Sequence, residues 1–157
     1  MKIIIDGPNN VGKTTFIKAM LAHNHFKDFK YKHLTAEDEN SLSFYKDILN
    51  EKQFYILDRG PIGELVYSEI YKRTPRITHN EVKKVVNDPR VTSLIFTQPI
   101  RQIAKNYRGK KENFELGFVR KELFLFNKCA GNFKNTQVIV NHYDKQSEQL
   151  YSLMKYI

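Results

Sequence analysis

The apolar pattern opens with three consecutive isoleucines, Ile3 to Ile5, between Lys2 and Asp6. A short unbroken apolar run predicts a strand covered on both faces, here the first and central strand of a sheet. From Gly12 to Ala22 the apolar positions change to near-helical spacing, with Phe16, Ala19, Met20 and Leu21. His23 to Lys30 reads as a polar and aromatic connection, and Tyr31 to Thr35 as a second strand. An acidic turn follows, and Ser41 is placed to cap a helix from Leu42 to Asn50 with Leu42, Tyr45 and Leu49 on one stripe. Gln53 to Leu57 predicts a third strand, running into Asp58-Arg59-Gly60. Pro61 suits the first turn of a helix reaching about Lys72. Thr74 to Thr78 is a break, Asn80 to Asn87 a short basic helix, and Arg90 to Thr97 a strand halted by Gln98-Pro99. Ile100 to Tyr107 predicts a helix and Arg108 to Lys111 a basic turn. Phe114 to Ala130 predicts a longer helix stopped by Gly131. Thr136 to Val140 is the last strand and Asp144 to Lys155 a closing helix. Strands alternating with helices define an α/β class, with a mostly parallel sheet covered on both faces. No repeat or linker interrupts the pattern, so residues 1–157 are expected to form a single domain.

Composition narrows the setting. Of 157 residues 41% are hydrophobic, with eleven phenylalanines and nine tyrosines, enough for one packed core. No apolar run approaches the roughly 18 residues a membrane span needs. Ile3 to Ile5 is too short for the apolar core of a signal peptide. The single cysteine, Cys129, excludes an internal disulfide framework and suits a reducing compartment, so a cytoplasmic protein without membrane partners is expected. His23 and His25 lie near a helix end without matching thiol or carboxylate, so no metal site is predicted there. The net charge of +9 suits an anionic partner: a nucleotide, a polyphosphate or a nucleic acid. Net charge alone does not argue for a polymer, so nucleic acid is kept as an alternative and not favoured.

The specific chemistry lies between the first strand and the first helix. Gly7 to Thr14 reads G-x-x-x-x-G-K-T, a P-loop in the strand-then-helix context that confirms it. Backbone N–H groups from Gly7 through Asn9, Asn10, Val11 and Gly12 to Lys13, Thr14 and Thr15 are expected to cradle the phosphates of ATP at a helix N-terminus. Lys13 would reach the β- and γ-phosphates, and the Thr14 hydroxyl would be a ligand of Mg²⁺. Asp58-Arg59 ends a buried strand on the sheet edge where such ligands gather. There Asp58 is a second candidate for Mg²⁺, and Arg59 can grip a phosphate bidentately. The segment from Arg101 to Lys111 carries Arg101, Lys105, Arg108, Lys110 and Lys111 and no acid. It predicts a short cationic lid over about residues 101–113, with Arg108 before the expected hinge Gly109 as its catalytic member. Glu37 or Asp38, after the second strand, is a candidate base or acceptor-binding carboxylate.

Taken together these residues resemble the thymidylate kinase and deoxynucleoside kinase branch of P-loop nucleotide kinases. Asp6-Gly7-Pro8-Asn9-Asn10-Val11-Gly12-Lys13-Thr14-Thr15 resembles the family's acid-then-P-loop signature, and Asp58-Arg59-Gly60 its D-R motif. Leu34-Thr35-Ala36-Glu37 resembles its Thr-Arg-Glu-Pro segment, and Val119-Arg120 a Val-Arg pair on the helix after the lid. The resemblance implies a three-layer α/β/α fold around a mostly parallel five-stranded sheet with a short lid, ATP and Mg²⁺ as cofactors, and a homodimer. It places Asn9, Glu37, Arg59 and Tyr67 on the acceptor side. The chain departs from the pattern at Asn9, where thymidylate kinases carry an aspartate. It departs again at Ala36 and Ser68, where the family has arginine and glutamine. The expected activity is transfer of the γ-phosphoryl group of ATP to a (deoxy)nucleoside monophosphate. A deoxynucleoside kinase and a nucleic-acid kinase, acting on a 5′-hydroxyl or a modified base, remain as alternatives. A GTP-dependent switch is disfavoured: Asn127-Lys128-Cys129 is followed by Ala130 where the guanine-reading motif needs aspartate, and Pro61 occupies the glycine position of a D-x-x-G switch.

Overall fold

A computed structural model describes residues 1–35, 37–110, 113–133 and 135–140. The elements are β1 (Lys2–Asp6), α1 (Lys13–Leu21), a 3₁₀ turn (Asn24–Phe26), β2 (Phe29–His33), α2 (Leu42–Asn50), β3 (Phe54–Asp58) and α3 (Pro61–Ile70). They continue with α4 (His79–Val86), β4 (Val91–Thr97), α5 (Ile100–Gly109), α6 (Leu116–Asn132) and β5 (Thr136–Val140). All five strands are parallel, in the order β2-β3-β1-β4-β5. The expected closing helix, Asp144 to Lys155, lies outside the described residues. Among those that are described, no helix is long and apolar enough to cross a membrane.

The isoleucine run explains the layers. Ile3 and Ile5 point to one face with Ile56, Leu94 and Phe96, where α1 and α5 supply Phe16, Ile17, Met20, Ile103 and Tyr107. Ile4 points to the other with Leu57 and Ile95, where α2, α3, α4 and α6 supply Tyr45, Ile62, Val82 and Phe126. This two-sided cover is why the central strand carries no polar alternation. The same parity sends the two strand-end carboxylates to opposite sides. Asp6 follows Ile4 toward α3, and Asp58 follows Ile56 toward α1. Helix α6 contributes Val119 to one core and Phe126 to the other, so its first turns pass over the carboxyl edge of the sheet.

Three sequence expectations shift. β2 starts and ends two residues earlier than Tyr31 to Thr35 suggested. Phe29 joins the ring cluster with Phe26 and Phe54 at centroid distances of 5.5 and 5.3 Å. Thr35 turns out of the sheet because its N–H and hydroxyl both donate to Asp38 Oδ2, at 2.7 and 3.0 Å. Helix α6 runs through Gly131 to Asn132, and the buried ring of Phe133 ends it. Arg108 and Gly109 are the last helical residues of α5, not a turn. Buried Tyr107, 5.6 Å from the Phe114 ring, anchors that last turn. Gly109 has no positive φ, and a Cβ there would meet nothing within 4 Å, so no hinge conformation requires it.

Candidate active site

The loop after β1 is shaped by what surrounds it. Gly7 has φ 140°, and a Cβ there would stand 2.2 Å from the carbonyl oxygen of Phe96 on β4. Asn10 and Gly12 also take positive φ, 59° and 87°. Helix α1 starts without a side-chain cap and without an acid in its first turn. Its first N–H groups and positive dipole end are therefore available to an anion. Lys13 is buried, and its ammonium donates to the carbonyls of Gly7 (2.9 Å) and Pro8 (2.7 Å). Burial is the main cause that brings its pKa down to about 8, with Asp58 opposing and Arg59 reinforcing.

Asp58 ends β3 beside this loop and is almost wholly buried. Its Oδ2 accepts from Thr14 Oγ1 (3.2 Å), Tyr31 OH (3.1 Å) and His33 Nδ1 (3.1 Å), while Oδ1 is buried with no partner among the described residues. An unpartnered carboxylate oxygen beside a threonine hydroxyl is the hard-oxygen donor set of a small divalent cation. Among the described residues no group of three or more His, Cys, Asp or Glu forms a metal cage. A cation here would complete its shell with water and phosphate, as Mg²⁺ does in phosphate sites. The next residue, Arg59, takes φ 75° with its N–H on Ile5 O (2.9 Å). A non-glycine residue rarely adopts this left-handed conformation, and such strain is concentrated at functional sites. The Arg59 side chain makes no hydrogen bond among the described residues.

Two clefts meet at Arg59. One, of about 380 Å³, is lined by Asn10, Gly12, Lys13, Thr14, Thr15, His33, Asp58, Asn106, Tyr107 and Lys110. The other, of about 250 Å³, is lined by Leu34, Thr35, Asn40, Gly60, Gly63, Glu64, Tyr67, Tyr71 and Arg73. Asn9 and Arg59 line both. At the wall of the second cleft Arg73 forms a two-point ion pair with Glu64, at 2.6 and 2.8 Å. Ser68, in the position where the family carries glutamine, is buried and donates to Glu64 Oε1 at 3.2 Å; it props that pair and does not line the cleft. The opening of α3 is moulded on Asp6. Asp6 Oδ1 accepts from the N–H groups of Gly60 (2.8 Å) and Gly63 (3.1 Å). A Cβ at Gly63 would lie 2.7 Å from that same oxygen.

The structure gathers most of the sequence-derived residues and leaves some out. Asn9, Asn10, Gly12, Lys13, Thr14, Thr15, Asp58, Arg59 and Lys110 line the first cleft, with Lys110 Nζ bonded to Asn10 Oδ1 at 2.5 Å. Val11 is buried in the core beneath the loop. Tyr67 lines the second cleft. Glu37 is exposed and lines neither, and Arg101 and Arg108 are exposed on α5 and line neither. Lys111 and Ala36 lie outside the described residues. The segment expected to form a lid instead presents Asn106, whose amide donates to Asn10 O (2.7 Å) and Gln98 Oε1 (3.0 Å).

Sequence reasoning passed over Glu122. Its Oε1 accepts from Tyr67 OH (2.9 Å) on α3 and Asn9 Nδ2 (3.2 Å) in the loop, and its buried Oε2 has no partner among the described residues. Burial raises its pKa, with the Tyr67 and Asn9 hydrogen bonds opposing. The same burial, followed by the negative charge of Glu122, raises the Tyr67 hydroxyl far above its usual range, so it remains a donor. The signal was present: Glu122 is the acid within the apolar stripe Val119, Phe126 and Cys129.

Comparison with solved structures bears on the fold. The YorR protein from Bacillus subtilis in complex with phosphorylated GDP superposes with a TM-score of 0.78, at 17% identity, over 99% of this chain and 95% of that one. Deoxyadenosine kinase from M. mycoides with bound dCTP superposes at 0.60 and 12% identity, over 100% of both chains. No family model matches the chain, and no curated protein matches it in sequence. The protein has the three-layer α/β/α fold of P-loop nucleotide kinases.

Proposed function

We propose that the protein transfers the γ-phosphoryl group of ATP to a nucleoside monophosphate, with a deoxynucleotide as the preferred acceptor. The observation that carries this reading is Arg59: a strained, cationic residue at the junction of a phosphate-cradling cleft and a second cleft walled by Tyr67, Tyr71 and the Glu64–Arg73 pair. In this reading ATP lies with its phosphates on the α1 N-terminus. Lys13 leaves the Gly7 and Pro8 carbonyls to reach the β- and γ-phosphates. Asp58 and the Thr14 hydroxyl would hold Mg²⁺, which when bound would offset charge on the phosphate oxygens. The acceptor lies in the second cleft with its phosphate against Arg59. An acceptor oxygen attacks the γ-phosphorus, the bond to the β,γ-bridging oxygen breaks, and ADP leaves. Lys13, Arg59 and Lys110 stabilise the charge spread over the transferring group.

A phosphate acceptor fits better than a hydroxyl because its oxygen is already anionic and needs no base. Glu37, the carboxylate suited to deprotonate a hydroxyl, lines neither cleft. The likeness to deoxyadenosine kinase supports a nucleoside-sized occupant for the second cleft. The test is an ADP-release screen with ATP and Mg²⁺ against all nucleosides, all monophosphates and a 5′-hydroxyl oligonucleotide. At least one deoxynucleoside monophosphate should turn over, and Lys13→Ala should lose at least about 100-fold in rate. Turnover confined to nucleosides or oligonucleotides would overturn the reading.

A further inference from the structure

We propose that Tyr31 and His33, on the edge strand β2, are positioning residues for the cation site. They turn the Asp58 carboxylate so that one oxygen is presented to the ion. The inference rests on the phosphotransfer reading only in taking Asp58 as a cation ligand.

The distribution of hydrogen bonds carries it. A buried carboxylate with a purely structural duty gains most when its donors are shared between both oxygens, since each oxygen left bare costs desolvation energy. Among the described residues three donors converge on Asp58 Oδ2, at 3.1, 3.1 and 3.2 Å, and Oδ1 is buried without a partner. Asp6 and Glu122 also leave one oxygen bare among the described residues, but only Asp58 shares its site with the hydroxyl of a phosphate-loop threonine, which fits an oxygen reserved for a cation. One donor, Thr14, is itself a candidate ligand of the ion, so its hydroxyl has a second duty. Tyr31 and His33 have none, and among the described residues each makes a single side-chain hydrogen bond, to Asp58. Strand geometry explains how both reach one atom. They stand at i and i+2 on one face of β2, and His33 is in register with Asp58 on β3. For His33 to donate, its Nδ1 must carry the proton, which the carboxylate selects. Such outer partners orient metal ligands, and their loss typically costs about 10–100-fold in metal affinity or activity. Neither residue belongs to the P-loop or the D-R pair, and so neither motif announces them.

The experiment measures Mn²⁺ affinity by electron paramagnetic resonance in the presence of β,γ-methylene-ATP. Affinity for the analogue alone is measured in EDTA. Tyr31→Phe/His33→Leu should weaken Mn²⁺ binding about 10–100-fold and leave metal-free analogue affinity within about twofold. His33→Asn, which keeps an N–H near the Nδ1 position, should recover most of the His33 share. Tyr31→Phe alone removes only a hydroxyl from a half-exposed ring, so it reports even where the double variant fails to fold. Mn²⁺ affinity within about twofold of wild type in Tyr31→Phe and in the double variant would overturn the proposal. Asp58→Asn separates the two levels. If it weakens Mn²⁺ binding while the β2 variants do not, only the positioning role fails. If it too leaves Mn²⁺ affinity unchanged, the cation reading of the site fails with it.

Discussion

Asp6 makes stability depend on pH in a direction opposite to most carboxylates. It is fully buried between β1 and the start of α3, and burial pushes its pKa up from 3.8 to about 6. Hydrogen bonds from Gly60 and Gly63 and the charge of Lys13 pull the other way without cancelling it. A rise of about two pH units, at roughly 1.36 kcal/mol each, means that charging Asp6 costs the folded state about 3 kcal/mol relative to the unfolded chain. The sign follows from proton counting. Between the two pKa values the folded state holds a proton that the unfolded state has released. The favourable contribution is thus complete below about pH 4 and is lost as pH rises through about 6. Asp6→Asn removes the titration, and its Oδ1 can still accept from Gly60 and Gly63. Urea unfolding of both proteins, followed by far-ultraviolet circular dichroism from about pH 4 to about pH 8, should show Asp6→Asn gaining most of that roughly 3 kcal/mol on wild type, with half of it reached near pH 5 and a plateau above about pH 6. A difference flat to within about 0.5 kcal/mol would refute the reasoning. So would a relative loss by the variant as pH rises, which would mean that Lys13 and the glycine N–H groups stabilise the charge more than burial opposes it.

Three further substitutions test the packing of two glycines and the wall of the second cleft. Gly63→Ala places a Cβ 2.7 Å from Asp6 Oδ1 and should cost about 1–3 kcal/mol in thermal or urea unfolding. Gly131→Ala, inside α6 with nothing within 4 Å of the new Cβ, should gain about 0.5–1 kcal/mol in the same assay. Tyr67→Phe removes one of the two donors on Glu122 Oε1 and should raise the acceptor KM about 5–10-fold at constant ATP KM, the roughly 1 kcal/mol net worth of a typical hydrogen bond. An equal rise in both KM values would place Tyr67 outside the acceptor cleft.

The sequence by itself determined whatever is local. The isoleucine run, the glycine-bounded loop and the lysine-threonine start of α1 are consecutive, so spacing alone carried the strand, the anion cradle and the helix. Asp58-Arg59 was legible for the same reason, as a charged pair at the end of an apolar strand. The β-α alternation carried the layered parallel sheet. Signals were misread where a residue type has two uses. Gly131 resembles a helix stop and Gly109 a hinge, yet both lie inside helices whose ends are set by the buried rings Phe133 and Tyr107.

Only tertiary structure decided which distant groups meet. Glu122 reaches Asn9 across 113 positions and Tyr67 across 55. Tyr31 and His33 reach Asp58 across 27 and 25, and from β1 Ile4 and Asp6 together require glycine at 60, and Asp6 requires it at 63. Each contact depends on strand order, register and the path of α6 over the sheet edge. Those are settled by packing the whole core, and periodicity within one segment carries no record of the partner it will face.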